Sequence, residues 1–362
     1  MSATIELGPM AAADEPELRR LLRETPFPGP LSLAFEREPD WRHAAEVEGD
    51  RHAVVVGRRE GRVVGFAARA VRDVWVDGAP ARVGYLGQLR IEAGARGGLA
   101  LLGDGFRRLE AARGPDELPF DFTSIVGDNP RARRLLGSGR AGVPTYRPLG
   151  ELVTFAFPTR PARRAPAARA CPPERLPEVA AFLDGEARRF QLAPRLDAAR
   201  LAGPARARGL GPGDLLLVEE RGAVAAAGAL WDQRAFKQTV VRGHSRAVRL
   251  ARPLLAWVPG GAALLPAVGE TLAAGFLAFA HARGDDPAAF RLLLDAALGE
   301  AHRRGLRVLL LGLAAGHPLL AEARRHRHRA YPSTVFAVHR AGGAARVAAL
   351  DGRPLAPEVA LL

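Results

Sequence analysis

At 362 residues the chain is long enough for two domains of about 150 residues each, and 48% hydrophobic with 25% charged residues excludes bulk disorder. A formal charge of +13 raises nucleic acid as a partner. The basic residues are scattered, however, and the densest run, Arg324-Arg325-His326-Arg327-His328-Arg329, has no interleaved aromatics for bases to stack on, so none is expected.

Nearly all the cations are arginine, and Lys237 is the only lysine, as in coding sequence of high GC content. The single cysteine, Cys171, can form no disulfide within the chain and has no metal-ligand neighbour, so no metal site is expected. Glu6, Asp14 and Glu15 precede any long apolar run, so no secretion signal is expected and the protein is expected in the cytoplasm. Pro253 to Ala280 is weakly charged, but Pro259-Gly260-Gly261, Pro266 and Glu270 interrupt it before a membrane span of about 20 residues accumulates. It reads as core, and no membrane partner is expected.

In chain order, Asp14 caps a helix through Leu18, Leu21 and Leu22, and a second helix is expected over Leu33 to Val47. Ala53 to Gly57 and Val63 to Ala67 read as strands around a turn at Arg59-Glu60-Gly61, and a third strand runs from Val74 to Arg82 through Asp77-Gly78. Gly84 to Glu92 reads as a strand, Leu99 to Ala112 as a helix, and Phe120 to Val126 as a strand. Asn129 starts a short helix, and Glu151 to Phe157 closes as a strand. The segment Pro158 to Pro173 has no apolar periodicity and marks a linker.

The same order then returns. Glu178 to Phe190 is helical in pattern, and Leu215 to Val218, Arg221-Gly222 and Val224 to Gly228 repeat the hairpin. Leu272 to Ala280 is a strand, Pro287 to Arg304 an amphipathic helix and Leu306 to Leu313 a strand. His317-Pro318 begins a helix where Asn129-Pro130 did, and Phe336 and Val338 lie on the closing strand. The division is 1–158, a linker 159–173, and 174–362.

The chemistry-bearing stretch is Gly84-Tyr85-Leu86-Gly87-Gln88-Leu89-Arg90-Ile91-Glu92, then Ala95-Arg96-Gly97-Gly98-Leu99-Ala100 and an amphipathic helix. A strand feeding a glycine-rich turn into a helix N-terminus makes an anion site, because unpaired N–H groups and the positive end of the helix dipole converge there. Glycine lets a pyrophosphate approach the backbone closely.

This stretch resembles the strand and phosphate loop of the GNAT superfamily of N-acetyltransferases, with one loop residue missing. Phe120-Asp121-Phe122-Thr123-Ser124-Ile125 followed by Asn129-Pro130-Arg131-Ala132 resembles that family's next strand and its Asn-x-x-Ala helix. The resemblance implies an α/β fold with a mixed sheet, two tandem GNAT-like units, and acetyl-CoA as cosubstrate. Leu89, Arg90 and Ile91 would pair with the pantetheine arm. The amides of Arg96, Gly97, Gly98, Leu99 and Ala100 would hold the pyrophosphate, with Asn129 near the pantetheine.

Acyl transfer to an amine also needs a base for the nucleophile and an acid for the departing thiolate. The family's usual tyrosine acid falls here on Leu136. Tyr146, Tyr85 and Asp121 are the remaining candidates, with Gln88 and Glu92 facing the acceptor cleft. In the second half the equivalent of the loop is Arg283-Gly284-Asp285-Asp286-Pro287, whose carboxylates would repel a pyrophosphate. His317 stands in place of the Asn. Trp231-Asp232-Gln233 with Lys237-Gln238 is the one dense polar group there, lining a cleft or supporting packing.

The expected function is N-acyl transfer from acetyl-CoA or another acyl-CoA to a small-molecule or peptide amine. The second half would serve as a lid, an acceptor-specificity wall or the surface of a homodimer. The alternative is a catalytically inactive ligand-sensing or interaction module.

Overall fold

The structure, a computed structural model, describes residues 4–95, 98–127, 142–162, 167–250 and 266–362. Its strands are β1 Glu6–Pro9, β2 Leu31–Glu36, β3 Arg51–Arg59, β4 Arg62–Val76, β5 Ala79–Ile91, β6 Glu117–Val126 and β7 Thr145–Pro158. The later ones are β8 Ala168–Ala170, β9 Leu215–Glu220, β10 Ala223–Trp231, β11 Gln238–His244, β12 Ala274–Ala282, β13 Val308–Ala314 and β14 Arg329–His339. The principal helices are α1 Glu15–Glu24, α2 Trp41–Glu48, α3 Gly98–Ala111, α4 Leu176–Ala187, α5 Ala198–Ala202 and α6 Pro287–Arg303.

Local chemistry sets the hairpins. Glu60-Gly61, Asp77-Gly78 and Arg221-Gly222 each place two residues at positive φ between paired strands, the two-residue turn whose twist matches that of the flanking strands. The Asp77-Gly78 turn therefore separates two long strands, β4 and β5, where a single strand was expected across it.

Twelve strands form one sheet in the order β1-β3-β4-β5-β6-β14-β7-β13-β12-β10-β9-β8. Only β5–β6 and β12–β13 among the described pairs are parallel. The last strand, β14, lies between β6 and β7, pairing Ser333–Val338 with β6 and Arg329–His339 with β7. On its other edge β7 pairs with β13. Each half thus lends a strand to the other, and the sheet runs unbroken through both.

Helices cover both faces. On the first-half strands, α1 and α2 bury Leu18, Leu21, Leu22, Trp41 and Ala45 against Val56, Val63, Phe66 and Ala68. On the opposite face Leu109 and Phe106 of α3 pack with Val55, Leu86 and Val338. The later strands repeat this, with α6 on one face through Phe290, Leu293, Leu294 and Ala297 and α4 on the other through Leu176, Val179, Ala180 and Leu183.

Two sequence expectations change. The helix foreseen over Leu33 to Val47 is a strand followed by a shorter helix: β2 pairs with β11, Gln238↔Glu36 through His244↔Leu31, and Asp40 then caps α2 by accepting from the Arg42 amide at 2.8 Å. The pattern of Leu31, Leu33 and Phe35 suits a strand, but its partner lies some 200 residues away in sequence, beyond the reach of local reading. Within the stretch read as linker, Ala168 is buried in the core and belongs to an edge strand on β9. The expected Asn129 helix lies outside the described residues.

The C-terminal segment is packed tightly over β13. A Cβ at Gly312 would collide with the Val359 methyls, so Gly312→Val should cost about 1–3 kcal/mol through overpacking. Thermal unfolding should show a lowered midpoint, largely restored in Gly312→Val/Val359→Ala; an unchanged midpoint in the single variant would show that this segment is not held against the sheet.

Candidate functional site

The site begins where β5 and β6 part. Their parallel register runs through Gly84↔Asp121 and Tyr85↔Phe122 and no further, and the Thr123 hydroxyl closes the apex by donating to the Leu86 carbonyl at 2.7 Å. Beyond it β5 continues along β4 alone, so its edge toward β6 has no strand partner. At this point β5 bulges: Ala68 faces Gly87 and Phe66 faces Arg90, leaving Gln88 and Leu89 opposite Ala67. Gln88 sits at φ +58°. Such a bulge bends the strand and re-aims the extra residue.

The same construction occurs in the second half. Strands β12 and β13 pair from Ala274↔Val308 only to Phe276↔Leu310, and β12 bulges between Ala278 and His281 with Phe279 at φ +55°. There the bulge amide is engaged, donating to Glu358 Oε2 at 2.7 Å. The N-terminal amides of α6 are engaged too: Asp286 accepts from the Ala288 amide at 2.9 Å, and the Gly284 amide donates to Glu186 at 3.2 Å. Glu358 and Asp286 thus stand as built-in anions at the bulge and at the helix start of the second half.

Strand alternation assigns the sequence candidates to faces. Gly84 and Asp121 share the α3 face with Arg69; a Cβ at Gly84 would run into both side chains. Asp121 Oδ1 accepts from Arg69 Nε at 3.0 Å and Nη2 at 2.7 Å, and Oδ2 from Arg113 at 3.0 Å. Burial pushes its carboxyl up against the pull of these arginines. Tyr146 also lies on this face, between Phe106 and Phe336, and burial raises its phenol well above the ordinary value. Both residues are committed to packing and ion pairing.

Tyr85 lies on the opposite face. Its ring extends over Gly87, where a Cβ would come within 2.9 Å of it, and tilts against Phe122 with ring centroids 5.1 Å apart. The Arg72 guanidinium covers it at 4.2 Å. Burial lifts the phenol to about 12, so it stays protonated at neutral pH and can donate. The structure therefore separates Tyr85 from Asp121 and Tyr146 and places it on the face of the bulge.

Around Tyr85 lies a polar cluster drawn from both halves. Glu48, at the end of α2, binds Arg37, accepts from Gln88 Nε2 at 3.0 Å and lies 3.6 Å from Lys237 Nζ. Gln88 Oε1 accepts from Trp41 Nε1 at 2.7 Å, and Arg72 Nε donates to the Glu48 carbonyl at 2.7 Å. Burial pushes the Glu48 carboxyl up, but Arg37, Lys237 and Arg72 together outweigh it and hold it below its usual range. Lys237 Nζ donates to the main-chain oxygens of Ala360 at 3.2 Å and Leu362 at 2.8 Å, and burial draws it down to about 8. Gln233 Nε2 donates to the Ala360 carbonyl at 3.1 Å. Of the polar group noted in the sequence, Lys237 and Gln233 thus join this cluster, whereas Asp232 pairs with Arg234. Arg37, Glu48 and Arg72 were missed because nothing local distinguishes them from surface charges.

Of the cofactor candidates, Leu89, Arg90 and Ile91 form the end of β5. The Leu89 carbonyl accepts from Arg90 Nη1 at 3.0 Å, and the Arg90 guanidinium rests 4.5 Å above the Phe27 ring. Glu92 is held by Arg62 and Arg20, and its amide by the Val64 carbonyl. Gly98, Leu99 and Ala100 open α3, so the helix N-terminus follows the strand as expected. Arg96, Gly97, Asn129 and Leu136 lie outside the described residues. Of the second half, His317 is buried and stacked on Phe190 at 4.6 Å, and its Nδ1 accepts from the Leu319 amide.

No family model and no curated protein sequence matches the chain, but solved structures match nearly all of it. Saccharomyces cerevisiae N-myristoyltransferase with bound myristoyl-CoA superposes with a TM-score of 0.61 at 11% identity, covering 93% of this chain and 83% of that one. The fold is GNAT-like. A GCN5-related N-acetyltransferase from Sphaerobacter thermophilus shares it at a TM-score of 0.54 and 16% identity, over 92% of this chain and 95% of its own. So does the glucosamine N-acetyltransferase region of a fungal multi-domain β-N-acetylglucosaminidase, at 0.58 and 14%, over 38% of that chain. The N-myristoyltransferase carries the GNAT fold as two tandem lobes, the arrangement that the repeated parted strands and bulges display here. Among the described residues no helix of the GNAT-like chain is long and apolar enough to cross a membrane, and no group of potential ligand side chains is suited to a metal.

The buried lysine yields a pH prediction. Folded Lys237 releases its proton near pH 8, whereas an unfolded lysine holds it to 10.5. Between these values the unfolded chain binds the extra proton, so stability rises with pH; below about pH 8 both states are charged and the burial cost is fully present. Thermal midpoints of wild type should therefore rise relative to Lys237→Met from pH 8 to 10, by the equivalent of on the order of 2 kcal/mol. A difference that stays flat with pH would mean that Lys237 is not held in this environment.

Proposed function

We propose that the protein is an acyl-CoA-dependent N-acyltransferase, acting in the cytoplasm with acetyl-CoA as donor, whose acyl site lies at the β5 bulge of the first half. The observation that carries the reading is internal to the molecule: the second half fills its own bulge with Glu358 and its own helix start with Asp286, while among the described residues no side chain is bonded to the Gln88 amide of the first-half bulge. The neighbouring folds belong to proteins described as acetyl- and myristoyltransferases.

In this reading the pantetheine lies along the free edge of Leu89, Arg90 and Ile91. The amides from Arg96 to Ala100 at the start of α3 take the pyrophosphate, and Asn129 contacts the pantetheine. The Gln88 amide, twin of the Phe279 amide, donates to the thioester oxygen and stabilises the charge that develops there when the amine attacks. The acceptor approaches on the face of Tyr85. The amine nitrogen bonds to the thioester carbon and releases a proton to solvent, the carbon–sulfur bond breaks, and the thiolate takes a proton from Tyr85, which regains one from solvent. The unit 174–362, joined through 159–173, contributes β14 to the sheet and Lys237 to the acceptor side.

Calorimetric titration with acetyl-CoA tests this directly. Wild type should bind saturably, and a Gly97→Asp/Gly98→Asp variant should lose binding at least about tenfold through like charge and blocked approach. Equal binding by both would remove the phosphate assignment. Binding without transfer to any amine would favour the ligand-sensing reading. Tyr85→Phe should lower kcat while leaving acetyl-CoA affinity unchanged; an unaltered kcat would remove Tyr85 as the proton donor.

A further inference from the structure

The acceptor side of the bulge carries more positive charge than its own carboxylates answer. Four cations converge there: Arg37, Arg72, Arg90 and Lys237. Arg37 and Arg90 repel each other, and both act on Tyr85. Glu48 is shared by Arg37, Gln88 and Lys237, and Glu358 acts on Arg72 and Lys237 alone among the four. The neighbouring acids are spent elsewhere: Glu36 on Arg242, Glu38 on Arg19 and Arg23, Asp232 on Arg234. Glu358 accepts from the Phe279 and Ala360 amides.

Main-chain oxygens satisfy two of the four cations. Lys237 donates to Ala360 and Leu362, and Arg72 donates to Glu48 and Leu361. Arg37 and Arg90 each keep one nitrogen without a hydrogen-bond partner among the described residues. Arg37 is 5% exposed, and its Nη1 is buried without a hydrogen-bond partner, as is Arg90 Nε. A buried guanidinium N–H left unmade is costly, and Arg37, held to Glu48, and Arg90, two residues beyond Gln88, both act on Tyr85.

We propose that the acceptor carries a carboxylate close to its reactive amine, as an α-amino acid does, and that Arg37 and Arg90 hold that carboxylate while the amine faces the β5 bulge. This rests on the acyltransferase reading. Arg90 is two residues beyond Gln88 and Arg37 is joined to Gln88 through Glu48, so an anion seated between them leaves only a short reach to the thioester carbon. A cationic amine without a neighbouring anion would meet like charge here. An amino acid brings its own counter-charge to the two arginines, and the surrounding cations then favour the neutral, nucleophilic form of its amine. The cluster would thereby supply by electrostatics part of what a dedicated base supplies.

Calorimetry on the full-length protein with N-acetylglycine and N-acetylphenylalanine, each against its uncharged carboxamide, tests this carboxylate site independently of turnover. The carboxylates should bind at least about tenfold tighter than the carboxamides, and Arg37→Gln and Arg90→Gln should each remove most of that preference. Retained thermal midpoints confirm folding, and the wild-type comparison stands even if one variant fails to fold. Equal binding of carboxylate and carboxamide, no binding of either, or a preference untouched by both substitutions would overturn the proposal. Acetyl-CoA binding is read separately: its absence alongside carboxylate preference would sink the acyltransferase reading and leave the anion site standing.

Discussion

The architecture depends on an exchange of strands. With β14 inserted between β6 and β7, and β7 set against β13, neither half can complete its sheet alone. The inner edges of β6 over Asp121–Val126 and of β7 over Thr145–Ala156 are paired by a segment more than 170 residues later. Breaking that seam would expose two long ladders to water or to other chains, a cost no single side-chain contact approaches. The exchange also fixes the relative position of the halves, so that Lys237 and the segment around Ala360 reach a site whose strands belong to residues 62–126.

The second half repeats a local geometry of the first. Two parallel strand pairs part at equivalent points, and two bulges place a residue at positive φ at the same distance from the strand end. The chain has stopped one of the two openings with its own carboxylates. Glu358 at the Phe279 amide and Asp286 at the start of α6 satisfy, within the fold, the donors that a thioester and a phosphate would otherwise require. The two bulges share a geometry, and that of the second half is closed by its own carboxylate.

The charge balance gains meaning only when placed in space. Most arginines are paired on the surface, where exposed pairs contribute little. Around Tyr85, by contrast, arginines are buried with too few carboxylates. The single lysine is a compact ammonium surrounded by main-chain oxygens, a setting a planar guanidinium could not enter in the same way.

Much of this was legible in the residues themselves. The three X-Gly turns, the order of strands and helices in each half, the capping Asp286 and the strand-to-helix passage into Gly98 all follow from local chemistry, since a turn or a cap needs only its own few residues. Lys237 stood out by composition alone. What local reading could not reach were features whose cause lies far along the chain: β2 is a strand because β11 pairs with it, and β14 sits beside β6 because the halves exchange strands. Asp121 and Tyr146 fall on the opposite face from Tyr85 because the alternation of two adjacent strands divides them. Periodicity says which residues share a face, but only the assembled sheet decides what that face meets, and it brings Arg37, Glu48 and Arg90, distant in sequence, around Tyr85.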